Sequence, residues 1–120
     1  MADYKGKVVT ITGAASGLGK GMATRFAEQG ARLSLADLDA ENLARVEAEL
    51  KAKGVEVLTT VLDVRDGEAV EKFAERTFAA FGGVDYCINN AGVHSMGTIW
   101  RIPAAEWRTV FEINVMGVVN

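Results

Sequence analysis

The sequence predicts an α/β fold in which a parallel sheet, ordered 3-2-1-4, carries helices on both faces. Three observations predict it. Short apolar runs alternate four times with amphipathic stretches. The first run, Lys7–Thr12, is almost continuously apolar, as expected of a strand buried on both faces. A glycine-rich turn, Thr12-Gly13-Ala14-Ala15-Ser16-Gly17-Leu18-Gly19, then hands that strand to a helix. Parallel neighbours need a crossover, and helices supply it. Right-handed crossovers give the strand order and put a switch point between the first and fourth strands.

The elements follow one by one. Gly17–Gln29 reads as the first helix, with Leu18, Met22 and Phe26 on one face and Gly30 as its stop. Arg32–Ala36 is the second strand. Asp39 is placed to cap a second helix whose stripe is Leu43, Val46 and Leu50, and Gly54 ends it. Val55–Leu62 is the third strand. Asp66 caps a third helix carrying Val70, Phe73, Thr77 and Phe78, which stops at Gly82-Gly83. Val84–Asn89 is the fourth strand, with Cys87 inside it as a small buried hydrophobe. Pro103 suits the first turn of a fourth helix with Trp107, Val110, Phe111, Asn114 and Val118 on one side. No linker, low-complexity tract or repeat divides residues 1–120, which read as one domain.

Composition narrows the partners. The 120 residues are 49% apolar and 24% charged, an ordinary balance for a soluble globular domain. The net charge of −3 and the scattered basic residues give no footprint for nucleic acid or an anionic membrane. No apolar run approaches the ~20 residues needed to span a bilayer. No signal-peptide pattern precedes Val8, and the single cysteine permits no internal disulfide. A cytoplasmic location is the expectation.

Two segments converge on the switch point: the glycine turn after the first strand and Asn89-Asn90-Ala91-Gly92 after the fourth. Gly13 allows the tight turn, Gly17 lets a pyrophosphate approach the backbone, and Gly19 lets the helix pack closely. The helix N-terminus adds partial positive charge. A Walker A loop is excluded, because Gly21 follows Lys20 where Ser or Thr is required. Asp37 stands 18 residues past Gly19, at the end of the second strand. A carboxylate there accepts from the adenosine ribose hydroxyls and repels a 2′-phosphate. Leu38 beside it and Ser16 in the turn offer no positive charge. The expected ligand is a dinucleotide, NAD in preference to NADP.

These motifs together resemble those of the classical short-chain dehydrogenase/reductase family, over the whole chain. Thr12 to Gly19 resembles its cofactor motif, and Asn89 to Gly92 its second motif. Asp63-Val64 resembles the pair that meets adenine, and Asn114 the asparagine of its catalytic tetrad. The resemblance implies a Rossmann-type fold, incomplete relative to the full family fold. It implies cofactor contacts from Gly13, Ser16, Gly17, Leu18, Gly19, Asp37, Asp63, Val64, Asn90, Ala91 and Gly92, and no metal. Asn90 would lie near the cofactor ribose, while Asn89 and Gly92 would mainly brace the sheet. On its residues alone, Asp63 reads equally well as the cap of a turn before Arg65-Asp66.

The family's other catalytic residues have no match in this sequence. A tyrosine four residues before a lysine removes the substrate proton there, the lysine lowering a phenol pKa that is otherwise about 10. Tyr4 is followed four residues later by Val8, and Tyr86 by Asn90. Ser16, Ser34 and Ser95 all precede Asn114, whereas the family's serine follows it. His94 reads as a solvated loop histidine rather than a general base. Trp100 and Trp107 read as core or interface aromatics rather than the lining of a substrate entrance. The expectation is the cofactor-binding half of an oxidoreductase, inactive alone, that self-associates or joins a complementary C-terminal half. The alternatives are a stand-alone NAD-binding module and a non-catalytic interaction module.

Overall fold

β1 (Val8–Thr12) takes the centre of the sheet because its sequence leaves no face for water: Val8, Val9, Thr10 and Ile11 are all buried. In the computed structural model, which describes residues 3–120, β1 pairs in parallel with β2 (Arg32–Asp37) and with β4 (Tyr86–Ile88). β3 (Val57–Val61) adds outside β2, giving the order 3-2-1-4. The register sets Val9 beside Leu33 and Ile11 beside Leu35. These four side chains make one face of the sheet, and α1 (Gly17–Glu28) and α2 (Ala40–Ala52) cover it through Ala23, Leu43, Val46 and Leu50.

The opposite face carries α3 (Gly67–Phe81), whose Phe73 packs with Ala36, Leu62 and Val64. A short 3₁₀ turn (Ile99–Arg101) then leads into α4 (Ala104–Phe111). The helix widens into a π turn (Glu112–Met116), and α5 (Gly117–Val119) follows directly. Ile113 joins the Phe73 cluster, so this segment lies on the α3 side. Helices therefore flank both faces, and the Rossmann-type arrangement expected from the sequence is the observed one.

Stops and caps fall where the residues placed them. Asp39 accepts from the Asn42 N–H and Asp66 from the Ala69 N–H, capping α2 and α3. Gly30, Gly54 and Gly82 take positive φ just past the three helices.

The departures have physical reasons. Leu18 is 80% exposed, because α1 turns Gly19 and Ala23 to the sheet and leaves Met22 and Phe26 half-buried. Phe78 is 55% exposed, since Phe73 and Thr77 already fill the contact under α3. β3 and β4 are shorter than the apolar runs that announced them, with Val55, Val84 and Asn89 outside the ladder. Cys87 is exposed, not buried, because β4 pairs with β1 alone among the described residues. Trp100 is 82% exposed and Trp107 is also exposed, so neither belongs to the core of this chain. The single fourth helix expected after Pro103 is interrupted at Glu112 by the π turn.

One polar contact is sealed inside this packing. The Thr77 hydroxyl donates to the Phe73 carbonyl at 2.8 Å and lies 2.7 Å from the Ser34 hydroxyl, so Ser34 is the donor between the two. Both side chains are fully buried. Thr77→Val keeps the shape but strands the Ser34 hydroxyl, and the expected loss is about 1–3 kcal/mol. Adding Ser34→Ala should recover part of it. Urea unfolding of the three variants measures this, and an unchanged midpoint for Thr77→Val would show that water reaches the pair.

Candidate functional site

The ends of β1 and β4 are bolted together by Asn90 and Thr12. The Asn90 side-chain amide donates to the Thr12 carbonyl at 3.1 Å and the Gly13 carbonyl at 3.2 Å. The backbone N–H groups of Asn90 and Ala91 both donate to the Thr12 hydroxyl at 3.1 Å. Bracing at this point thus falls to Asn90, whereas exposed Asn89 meets only the Cys87 thiol, at 3.9 Å. Gly92 packs against Asn114, where a Cβ would lie 3.3 Å from Oδ1.

The three glycines of the turn are there for different reasons. Gly13 has φ +66°, and a Cβ on it would lie 2.9 Å from the Ala91 Cα. On Gly19 a Cβ would overlap the Gly13 carbonyl, so α1 can reach this turn only through a residue without a side chain. Gly17, at φ +54°, meets nothing within 4 Å. Its open side faces a cleft of about 670 Å³. Two glycines are required by the protein's own packing, and the third leaves space for something else.

Electrostatics single out the same place. Ser16 precedes α1 in extended backbone without capping it, and the first turn of α1 holds no acidic residue. By contrast α2 and α3 have aspartate caps and first-turn Glu41 and Glu68, and α4 has Glu106 in its first turn. Among the helices of eight or more described residues, α1 alone keeps an uncompensated positive end. Such an end, with free backbone N–H groups, favours an anion.

Asp37 fixes the turn from the side of β2. Its Oδ2 accepts from the Ala15 N–H and its Oδ1 from the Asp39 N–H, both at 2.9 Å. Leu38 beside it is 64% exposed at the rim. On the loop just past β3, Asp63 accepts from the Arg65 N–H at 3.0 Å and from its guanidinium. Asp63 therefore does hold the local turn that its sequence position also allowed. Gly13, Ser16, Gly17, Leu18, Asp37, Asp63, Val64, Asn90, Ala91 and Gly92 all border the cleft, and Gly19 lies behind it.

Asn114 sits in the π turn and clamps Val93 with both ends of its amide. Its Oδ1 accepts from the Val93 N–H at 2.8 Å and its Nδ2 donates to the Val93 carbonyl at 2.7 Å. It borders a second, smaller hollow of about 240 Å³ with Ile102, Trp107 and Val110. Exposed His94 belongs to the walls of both cavities. Among the described residues, no cluster of His, Cys, Asp or Glu could hold a metal.

Sequence alone does not single out Arg65 as a site residue, and it puts Thr12 in the turn motif without giving it a role. Arg65 carries a local signal, an opposite charge two positions from Asp63. Thr12 acts through residues 78 and 79 positions away. The Arg65 side chain and N–H hold the Asp63 carboxyl below the ordinary aspartate range. A depressed carboxyl pKa contributes stability above the unfolded value, and that stability is lost as pH falls through the lower folded value. Arg65→Gln should move the Asp63 titration upward, toward the ordinary value. Carboxyl NMR shifts followed against pH check this, and an unmoved midpoint would mean that the guanidinium does not set it.

Known proteins share this sequence pattern and this fold. The sequence pattern of the short chain dehydrogenase family matches residues 7–120. A CLA biosynthesis dehydrogenase/reductase of Lactiplantibacillus plantarum is 38% identical over 119 residues, covering 99% of this chain and 42% of that protein. A short chain dehydrogenase/reductase from Burkholderia phymatum, solved in complex with NAD, superposes with a TM-score of 0.95 at 44% identity, over 99% of this chain and 42% of that one. L-Sorbose reductase from Gluconobacter frateurii, complexed with NADPH and L-sorbose, gives 0.90 at 37% identity, over 98% of this chain and 46% of that one. The chain thus spans less than half the length of these relatives. With its fold, motifs and relatives in agreement, the chain belongs to the short chain dehydrogenase family.

Proposed function

We propose that residues 1–120 form a single NAD-binding Rossmann domain, the cofactor-binding part of an oxidoreductase that moves hydride between NAD and an alcohol or ketone. The observation that carries this reading is the uncompensated N-terminus of α1 beside the open side of Gly17. The residues present suit a dinucleotide. Gly13, Ser16, Gly17, Leu18 and Gly19 would hold the pyrophosphate, with backbone N–H groups and the helix end supplying positive charge. Asp37 would take the ribose hydroxyls of the adenosine. Asp63 and Val64 would hold adenine, and Asn90, Ala91 and Gly92 would border the nicotinamide half. When bound, NAD supplies the hydride acceptor. Asn114 is the one catalytic residue proposed in this chain, and its clamp on Val93 would fix the cleft wall on that side.

The choice of NAD rests on Asp37. The relatives include proteins bound to NAD and to NADPH, so the fold alone does not decide between them. Asp37 already accepts two backbone N–H bonds, which anchor a carboxylate in the cleft wall. A 2′-phosphate there would face that charge without a basic neighbour, because Leu38 stands where a cation would be needed. Calorimetry should show tighter binding of NAD than NADP, reversed by Asp37→Ala combined with Leu38→Arg. Equal affinities in the unaltered chain would remove this reading. The same samples, saturated with NAD, should not turn over secondary alcohols, since a positioned base alone contributes roughly 10²–10⁴-fold. Ordinary turnover abolished by His94→Ala would assign the base to His94 instead.

We also infer association, with a second copy or with a complementary C-terminal half. Two exposed apolar surfaces support it: Tyr86 and Cys87 on the open edge strand β4, and Trp107, Phe111, Val115 and Val118 along the helical segment that begins with α4. Unpaired apolar strands template association, and large apolar patches mark interfaces. An exposed free thiol on this strand suits a reducing compartment, and we place the protein in the cytoplasm. Among the described residues, no helix is long and apolar enough to cross a membrane. Sedimentation of the 120-residue chain at micromolar concentration should show species larger than the monomer. A single monomeric boundary would count against the interface.

A further inference from the structure

The loop between β3 and α3 is held from outside the cleft by the last turn of the helical segment that begins at Ala104. The Asn120 side-chain amide donates to the Val64 carbonyl at 3.0 Å and to the Arg65 carbonyl at 3.4 Å. One turn earlier, Gly117 packs so tightly on Val64 that a Cβ there would lie 2.6 Å from its Cγ2. At the start of α3, a Cβ on Gly67 would lie 3.5 Å from the Asn120 Oδ1. Three independent contacts therefore seat this end of the segment on one loop. Asn120 itself does not border the cleft.

What this loop presents to the cleft is Asp63, Val64 and Arg65. The two carbonyls that Asn120 engages belong to the residues that follow Asp63, and the Arg65 side chain folds back onto Asp63 from the same stretch of backbone. If Val64 and Arg65 turned, the Asp63 carboxylate and the buried Val64 side chain would move with them. Nearer its start, the same helical segment grips Val93 through Asn114. Its two asparagines thus hold opposite walls of one cleft: Val93 near β4, and Val64 to Arg65 after β3.

We propose that Asn120 is a positioning residue for the adenine end of the site, holding the loop after β3 so that Asp63 and Val64 keep their places in the cleft wall. This rests on the dinucleotide reading given above. The effect of Asn120 is local to one end of the ligand, because its side-chain hydrogen bonds go to Val64 and Arg65 and, among the described residues, none goes to the glycine turn or to Asn90. It acts through backbone carbonyls, so a side chain that cannot donate loses the effect whatever its size. Asn120→Asp places a carboxylate oxygen against two carbonyl oxygens and should be at least as damaging as Asn120→Ala.

The experiment titrates the 120-residue chain and its Asn120→Ala, Asn120→Asp and Asn120→Ser variants with NAD, adenosine monophosphate and nicotinamide mononucleotide, following amide NMR shifts. Loss of two hydrogen bonds to the loop should weaken adenosine monophosphate and NAD about five- to tenfold in Asn120→Ala. Nicotinamide mononucleotide should bind that variant as it binds the unaltered chain. Asn120→Ser keeps a donor of shorter reach and should show the same split at smaller size, which supplies the test if the alanine variant does not fold. Unchanged binding of adenosine monophosphate to Asn120→Ala overturns the proposal, and so does equal weakening of both mononucleotides, which a general loss of folding would cause. Failure of the unaltered chain to bind NAD is a different result, and it removes the dinucleotide reading itself. A chain that binds NAD while its Asn120 variants bind as well as it does removes only the role of Asn120.

Discussion

The contact between Gly19 and the Gly13 carbonyl is the constraint from which the rest of the site follows. No side chain fits between them, so α1 meets the turn backbone to backbone. That approach brings the start of α1 over the end of β1 and leaves Gly17 at the open side. Asn90 then completes the arrangement by donating to the Thr12 and Gly13 carbonyls, which joins the end of β4 to the same turn. A methyl group at Gly19 would push α1 away from the turn, displace the Asn90 amide and separate the two strand ends together. The crevice at the switch point is thus held open by packing and by hydrogen bonds to the backbone, those accepted by Asp37 included.

Charge is distributed to suit that geometry. The helix ends that have no ligand to meet are neutralised internally, by Asp39 and Glu41 on α2 and by Asp66 and Glu68 on α3. A cap typically contributes on the order of 1 kcal/mol to its helix. The first helix goes without one, since the Ser16 side chain makes no capping bond. An end left unsatisfied in this way lowers the stability of the free protein slightly and strengthens its interaction with an anion. Asp37 shows the same division of labour. Its two accepted N–H bonds brace the turn, and they also fix its negative charge in the cleft wall, where the proposed reading sets it against an additional phosphate.

Much of this is legible in the sequence because it depends on near neighbours. The alternation of apolar runs and amphipathic stretches yields the strand order, and Asp39, Asp66, Gly30 and Gly54 mark helix ends through contacts within a few residues. The candidate site residues also gather around one cleft as expected, with Asn114 in the adjoining hollow. What escapes depends on distant partners. The bracing role of Asn90 needs Thr12, 78 positions earlier, and the glycine turn alone does not show which asparagine reaches back to it. The exposure of Cys87 and Phe78 escapes because periodicity assigns a face to each side chain without saying whether anything covers that face. The π turn has no local breaker: Glu112-Ile113-Asn114-Val115-Met116 contains neither glycine nor proline, and the clamp on Val93 accompanies the widened turn.

The two edges of the sheet show how the same physics separates a blocked surface from an open one. On β3 the Arg76 guanidinium donates to the Thr59 carbonyl at 2.6 Å and to the Thr60 hydroxyl at 2.8 Å, while the Thr59 hydroxyl donates to Glu47 at 2.6 Å. A cation that occupies an edge carbonyl blocks the addition of another strand, which is how open edges are kept from pairing. On β4 no charged side chain does this among the described residues, and Tyr86 and Cys87 are exposed. The asymmetry would place the proposed association on one side of the molecule. A strand or a second copy arriving at β4 would gain backbone hydrogen bonds, whereas one arriving at β3 would first have to displace Arg76. Of the two edges, β4, next to the cleft walls that Asn90 and Asn114 hold, is therefore the one left open for the proposed partner.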